Sequence, residues 1–431
     1  MFHVKHSSKK PRIGNQMPYS IFGNKFTQHS GINELMDDLN EGVKGGDDIL
    51  MLGGGNPAAI PQIQTRLTQL MQALLNEGKL IDTLANYDGP QGKNSFIEAL
   101  VDLFNDIYDW QLTSENIMLT NGSQNAFFYL FNLLGGNFSD DKKKKILFPL
   151  APEYIGYADA SVSEDAFVAV RPKITELENG FFKYNIDFDA LKVDQNIGAI
   201  CVSRPTNPTG NVLTDQEIAH LDRLARENNI PLIIDNAYGT PFPNMIFAEA
   251  TPFWNENTIL CLSLSKLGLP GARCGIVIAN PDIIKAMSNL SGIMALSPGG
   301  IGPEIALPLV KTKEIIKLSD EVIKPFYQGK SEKAIALLQA KISTPNFKIH
   351  KSEGALFLWL WFKELPISSN ELYKLLKKKG LLIVSGHYFF PGLDQEWQHT
   401  QECIRLNYAQ DDLVVERGIT ILADTINELY A

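Results

Sequence analysis

Short apolar runs of strand length recur between residues 117 and 279, each followed by turn chemistry and several by a helical stretch. They are Ile117–Leu119, Lys145–Phe148, Ala199–Val202, Leu232–Ile234, Ile259–Leu262 and Gly275–Ala279. Between the third and the fourth, Thr214-Asp215-Gln216-Glu217 has the reciprocal capping pattern that opens a helix, here predicted to run to about Asn229. Upstream, Asn94 to Trp110 carries apolar residues at three- and four-residue spacing, one face of a helix. Strands alternating with helices in this way predict a mostly parallel sheet covered on both faces. Such a sheet receives its ligands at the carboxyl ends of its strands.

The texture changes after about residue 305. A long helical pattern leads to a strand at Ala355–Phe362, and a second capping box, Ser368-Ser369-Asn370-Glu371, opens a helix that stops at Gly380. A strand at Cys403–Asn407 and a last helix from about Asp411 complete what reads as a smaller α+β domain. The 431 residues carry 39 Lys plus Arg against 49 Asp plus Glu, a formal charge of −10, which argues against a nucleic-acid binder. No apolar run approaches the ~18 residues of a membrane span. The basic stretch Met1–Lys10 leads into no apolar segment, so it reads as a mobile tail rather than a secretory signal. Cysteines at 201, 261, 274 and 403 form no C-x-x-C pair and have no histidines at ligand spacing, so neither a zinc site nor a disulfide framework is expected, and a reducing cytoplasm is. The run Lys142–Lys145 reads as a solvated loop.

Four strand ends carry residues with chemical potential. In Ser263-Leu264-Ser265-Lys266-Leu267-Gly268-Leu269-Pro270-Gly271-Ala272-Arg273, a lysine stands just past a buried strand, where desolvation lowers a lysine pKa enough for Schiff-base chemistry. In Asp235-Asn236-Ala237-Tyr238, a carboxylate closes an apolar run and so needs a cation, and a phenol follows. Arg204-Pro205-Thr206-Asn207-Pro208-Thr209-Gly210 fixes a tight turn presenting the Asn207 amide. Thr120-Asn121-Gly122-Ser123-Gln124 opens a helix, and free N–H groups there can cradle a phosphate. Taken singly, each has an ordinary structural reading as a loop lysine, a turn cap, turn punctuation or a helix start.

Together they resemble the fold type I pyridoxal phosphate enzymes of the aspartate aminotransferase superfamily, over the chain from Lys25 to about residue 425. The motifs S-x-S-K-x-G-x-P-G-x-R-x-G, N-P-T-G and D-x-x-Y match in order and separation. Further stretches, Phe26–Ile32, Leu52–Ala58, Asn86–Lys93, Phe148–Tyr157 and Ser385–Leu393, resemble a branch that acts on small aliphatic amino acids and pyruvate. The resemblance implies a large domain with a mostly parallel seven-stranded sheet flanked by helices, plus the smaller α+β domain. Residues 1–24 would be the tail, 25–60 a segment joining the small domain, 61–305 the large domain and 306–431 the small one.

It also implies pyridoxal 5'-phosphate as cofactor and a role for each matching residue. Lys266 would form the Schiff base and shuttle a proton, Asp235 would hold the ring nitrogen protonated, and Tyr238 and Asn207 would bond the ring hydroxyl oxygen. Gly122, Ser123, Gln124, Ser263 and Arg273, with Ser265 as a weaker addition, would make the phosphate cup, and Tyr154 would stack on the ring. Tyr87 would reach the phosphate of a neighbouring subunit, making a homodimer obligatory. Arg405 would bind the substrate α-carboxylate, with Gly55 letting the backbone approach it. Dicarboxylate-selective relatives supply a second arginine before the turn Ser297–Gly300, whereas Met287–Pro303 contains no Lys or Arg. Small neutral substrates such as valine, alanine and 2-aminobutyrate are therefore expected.

Other readings fare worse. Ser263-Leu264-Ser265-Lys266 is also an S-x-x-K, the nucleophile signature of penicillin-recognising enzymes, but no S-D-N or K-T-G occurs. Gly89-Pro90-Gln91-Gly92-Lys93-Asn94 is two residues short of a P-loop and lacks its Ser or Thr. A DNA-binding regulator on the same fold would need a fused basic domain, for which the ~25 residues before the resemblance are too few. His387 and His399 lack partners at metal-ligand spacing and read as core or loop residues.

Overall fold

Every residue of Ile197–Ser203 and Thr258–Ser263 is buried, which is the mark of strands covered on both faces rather than on one. The computed structural model describes residues 19–27, 31–33, 36–37, 49–139 and 142–431. Residues 1–18 of the expected tail, and Gln28–Ser30 within the Phe26–Ile32 stretch, lie outside the described residues. The large sheet contains β1 (Ile117–Thr120), β2 (Lys143–Phe148), β3 (Phe167–Ala169), β4 (Ile197–Ser203), β5 (Leu232–Asp235), β6 (Thr258–Ser263) and β7 (Gly275–Ile278). Their spatial order is β1-β7-β6-β5-β4-β2-β3. Only β7 runs antiparallel to its neighbours within this set. An eighth, two-residue strand, Gly136–Asn137, pairs antiparallel with β2 and adds one to the seven expected.

The capping signals hold, whereas the Lys142–Lys145 run, read as a solvated loop, enters β2 from Lys143 with its lysines half-buried. Thr214 Oγ1 accepts from Glu217 N at 3.2 Å while Glu217 Oε2 accepts from Thr214 N at 2.8 Å, opening the helix Asp215–Glu227. The same pair of bonds at Ser368 and Glu371 opens Ser369–Lys378, which ends before Gly380 at φ +80°. The helix Asn94–Tyr108 stops two residues short of the predicted Trp110, because Asp109 turns left-handed at φ 54°. The strand expected from Ala355 starts instead at Phe357, since Ala355 itself sits at φ 63°. The long helical pattern after residue 305 is broken into Ile301–Lys311, Glu314–Leu318 and Lys324–Lys341, with one wide π turn, Ser319–Ile323, before the last.

The second sheet has six strands in the order Val384–Ser385, Cys403–Asn407, Phe357–Phe362, Phe347–His350, Phe181–Asn185 and Lys173–Glu176. Two of them come from the middle of the chain, so the two sheets do not separate at a single point in the sequence. Near the N-terminus, Leu50–Met51 pairs in parallel with Leu381–Leu382, and Asn407 N donates to Leu52 O at 2.8 Å. This lays residues 52–55 along the end of the strand Cys403–Asn407, facing the mouth of the large sheet.

Candidate active site

The register of the large sheet aligns Ser203 with Asp235 and Asp235 with Cys261, so β4, β5 and β6 end side by side. The segments that follow them converge with the start of the helix Ser123–Leu134 on a cavity of about 620 Å³. Gly55, Ser123, Gln124, Tyr154, Asn207, Asp235, Tyr238, Ser263, Ser265, Lys266, Arg273 and Arg405 all line it. Of the residues singled out in the sequence, Gly122 and Tyr87 do not line it. Gly122 lies directly behind the cavity, at φ +83°, where an added Cβ would fall 2.0 Å from Arg273 Nη2. Only glycine lets the guanidinium approach that helix start. Tyr87 is 84% exposed and does not line the cavity of its own chain.

Lys266 Nζ donates to Gly55 O at 2.5 Å and stands 5.2 Å from the centre of the Tyr238 ring. Burial, helped by the charges of Arg405 and Arg273, pushes its pKa down to about 8. Asp235 Oδ2 accepts from the Tyr157 hydroxyl at 2.5 Å and Oδ1 from Ala237 N at 3.0 Å. Burial raises the pKa of this carboxyl while the Tyr157 hydrogen bond opposes the rise. Ser263 Oγ accepts from Ser265 N at 3.1 Å, closing the turn that carries Lys266.

Arg405 is only 2% exposed. Nη1 donates to Asn207 Oδ1 and Nη2 to Gly53 O, both at 2.7 Å, and the guanidinium lies 4.1 Å from the Phe357 ring centre. Because the Asn207 carbonyl is taken by Arg405, its amide N–H groups remain to face the cavity. No carboxylate among the described residues pairs with Arg405, its Nε has no partner, and burial lowers its pKa to about 10. A buried guanidinium left in this state is costly unless an anion joins it.

Sequence reading did not find Tyr157, Asn407 or the carbonyls of residues 53–55 as parts of this site. Tyr157 ends a stretch that was recognised, but its bond to Asp235 spans 78 residues, and nothing local signals it.

A cavity at the carboxyl edge of a largely parallel sheet, with a low-pKa lysine, a strand-end carboxylate and a buried arginine, defines an enzyme of group-transfer type working on an anionic amine or its keto counterpart. Residues 48–422 match the model for aminotransferases of class I and II, and the chain belongs to that family. It is 54% identical to the valine–pyruvate aminotransferase of Escherichia coli (strain K12), over 96% of this chain and 99% of that protein. The solved structure of valine-pyruvate aminotransferase from Salmonella typhimurium LT2 is similar at 53% identity and a TM-score of 0.86, covering 93% of this chain and 99% of that one. A protein from Psychrobacter arcticum 273-4 matches at 52% identity and a TM-score of 0.94, covering 96% of this chain and 99% of that one.

The family's cofactor is pyridoxal 5'-phosphate, and three features of the cavity fit it. Asp235 has no ion-pair partner among the described residues and suits a cationic ring nitrogen. The helix start at Ser123, with Ser263 and Arg273 beside it, is a donor set for a phosphate. Gln124 adds a first-turn backbone N–H at the same end, its side-chain amide being held by Gly156 O at 2.8 Å.

Proposed function

We propose that this protein exchanges an amino group between valine, or a similar small aliphatic amino acid, and pyruvate, giving 2-oxoisovalerate and alanine. The observation that carries the reading is one cavity holding Lys266 and the unpaired Arg405, its other walls including Ile32, Met36, Met51, Phe127 and Ile155. The 54% identity to the Escherichia coli enzyme supports the same substrate pair.

When bound, the cofactor supplies a carbonyl carbon that links covalently to amines and a ring that withdraws electrons from them. Lys266, with its pKa lowered to about 8, is the residue that would hold the cofactor through that carbon and move a proton at the substrate α-carbon. Asp235 would hold the ring nitrogen in its protonated form, and Asn207 and Tyr238 would orient the ring. Ser123, Gln124, Ser263 and Arg273 would anchor the phosphate, and Tyr154 would stack on the ring. Arg405 receives the α-carboxylate as a fork, with Asn207 bracing one arm. Gly55 leaves open space there, for a Cβ at that position would meet nothing within 4 Å. No second cation offers itself to a side-chain carboxylate in Met287–Pro303.

The working unit is a homodimer in this reading. Ile81, Leu84, Tyr87, Ile293, Met294 and Leu296 are exposed, and the two segments that carry them adjoin where Gly300 meets Thr83 and Asp88. An apolar surface of this kind suits a second copy, which would also bring Tyr87 to the partner's phosphate. We place the protein in the cytoplasm, in keeping with four buried, unbridged thiols. Domain limits of 25–60 plus 306–431 for the small unit and 61–305 for the large are retained as a proposal, with 173–185 lending strands to the small sheet. A half-reaction tests the substrate assignment: valine added to the loaded protein should change the cofactor's visible absorbance and release 2-oxoisovalerate. Faster conversion by aspartate would overturn the specificity and leave the class intact.

A further inference from the structure

Behind Asp235 lies a second buried carboxyl that the reaction above does not use. Glu153 is 2% exposed, and no cation among the described residues pairs with it. Its Oε1 accepts from Ser203 N at 3.0 Å, and its Oε2 is 2.6 Å from Ser203 Oγ. Ser203 Oγ in turn lies 3.4 Å from the Tyr157 hydroxyl, which donates to Asp235 Oδ2 at 2.5 Å. Four side chains, Glu153, Ser203, Tyr157 and Asp235, therefore form one line running from the protein interior to the cavity wall. The titratable groups facing Glu153 are Asp235, Tyr157 and Cys201, and none brings a positive charge.

Two carboxylates that face each other through two hydroxyls in a dry interior, with no cation between them, cannot both stay ionised at low cost. Burial pushes Glu153 up to about 8, with Asp235 adding to the rise and the Ser203 bonds opposing it. A protonated Glu153 donates to Ser203 Oγ. That frees the serine proton to turn toward Tyr157, and the tyrosine proton already points at Asp235. Every hydroxyl then donates in one direction, and the polarisation ends on the carboxylate. An ionised Glu153 would draw the serine proton to itself and leave Tyr157 unsupported.

We propose that Glu153 is a positioning residue, acting as the neutral acid that, through Ser203 and Tyr157, orients and charges the Asp235 carboxylate. This rests on the reading of Asp235 as the partner of the cofactor's ring nitrogen.

The test uses the loaded full-length protein and two readouts besides turnover: the dissociation constant for pyridoxal 5'-phosphate and the pH at which its visible absorbance titrates. Glu153→Leu should weaken cofactor binding and move that titration upward by ~1 pH unit, because a less positive ring nitrogen withdraws less charge. It should lower kcat about tenfold with little change in the valine KM. Glu153→Gln keeps a neutral donor and acceptor and should rescue most of each loss; a Gln variant as impaired as Leu would overturn the neutral acid. Tyr157→Phe interrupts the same line independently and should shift the titration in the same sense. Combined with Glu153→Leu it should cost no more than the larger single effect, whereas additive effects would overturn the relay. A folded Glu153→Leu variant with an unmoved titration would also overturn it. Asp235→Asn separates the two claims: if that variant keeps full turnover, the reading of Asp235 has failed rather than the role of Glu153.

Discussion

In the proposed reaction the activity depends on two side chains, Lys266 and Arg405, and each has a separable signature. Lys266→Ala should cut alanine formation from valine and pyruvate by at least ~100-fold, since no other base lines the cavity at that point. Arg405→Met keeps the apolar stem and loses the fork, so the valine KM should rise roughly ten- to hundredfold, a loss in keeping with charge-assisted hydrogen bonds. An unchanged KM would reassign the carboxylate. Gly122→Ala should weaken cofactor binding roughly tenfold, because φ +83° and a Cβ 2.0 Å from Arg273 Nη2 both oppose the side chain. At this scale the motif residues were legible in the sequence because their turns are local. The hydrogen bonds that tune them were not. Tyr157 to Asp235, Arg405 to Gly53 and Asn407 to Gly54 span 78, 352 and 353 residues, and only the folded chain brings them together.

Among the elements, the two capping boxes were readable because each is closed within four residues. Thr214→Ala should lower stability by ~1 kcal/mol, seen as a lower melting temperature with unchanged kinetics. The strands Lys173–Glu176 and Phe181–Asn185 were missed for the opposite reason: their partners, Phe347–His350 and beyond, lie far along the chain, and Lys173–Glu176 is mostly exposed and polar. That junction buries two histidines. His350 Nε2 accepts from Tyr184 N at 3.1 Å, leaving Nδ1 to donate to Lys351 O at 2.9 Å, so the ring is neutral, and His399 meets the Tyr184 hydroxyl. Burial pushes both down to about 3 from an ordinary 6.5, with the charge of Lys183 adding at His350. The unfolded chain therefore binds these protons first as pH falls. Their stabilising contribution is complete above about pH 6.5 and is lost progressively toward pH 3, at up to ~1.4 kcal/mol per pH unit for each ring. Melting temperatures between pH 7 and pH 4.5 should fall accordingly, and less steeply in His399→Phe.

At the level of the whole molecule, the alternation of strands and helices was enough to predict the parallel sheet and the edge at which the cavity lies, while the exposed apolar surface proposed to seat a second copy has no sequence period to announce it. Ile293→Asp combined with Leu296→Glu should convert the proposed dimer to monomers in sedimentation and weaken cofactor retention; a dimer that persists would move the interface elsewhere. One feature ties the two ends of the chain to the chemistry. The carbonyls of Leu52, Gly53, Gly54 and Gly55 are each taken by Asn407 N, Arg405, Asn407 Nδ2 and Lys266. Four successive peptide units thus set the span between the Lys266 amine and the Arg405 fork. In the proposed reaction such a gauge should admit a molecule whose two functional groups share one carbon and refuse β-alanine, whose groups stand one carbon further apart; turnover of β-alanine at the rate of valine would overturn it.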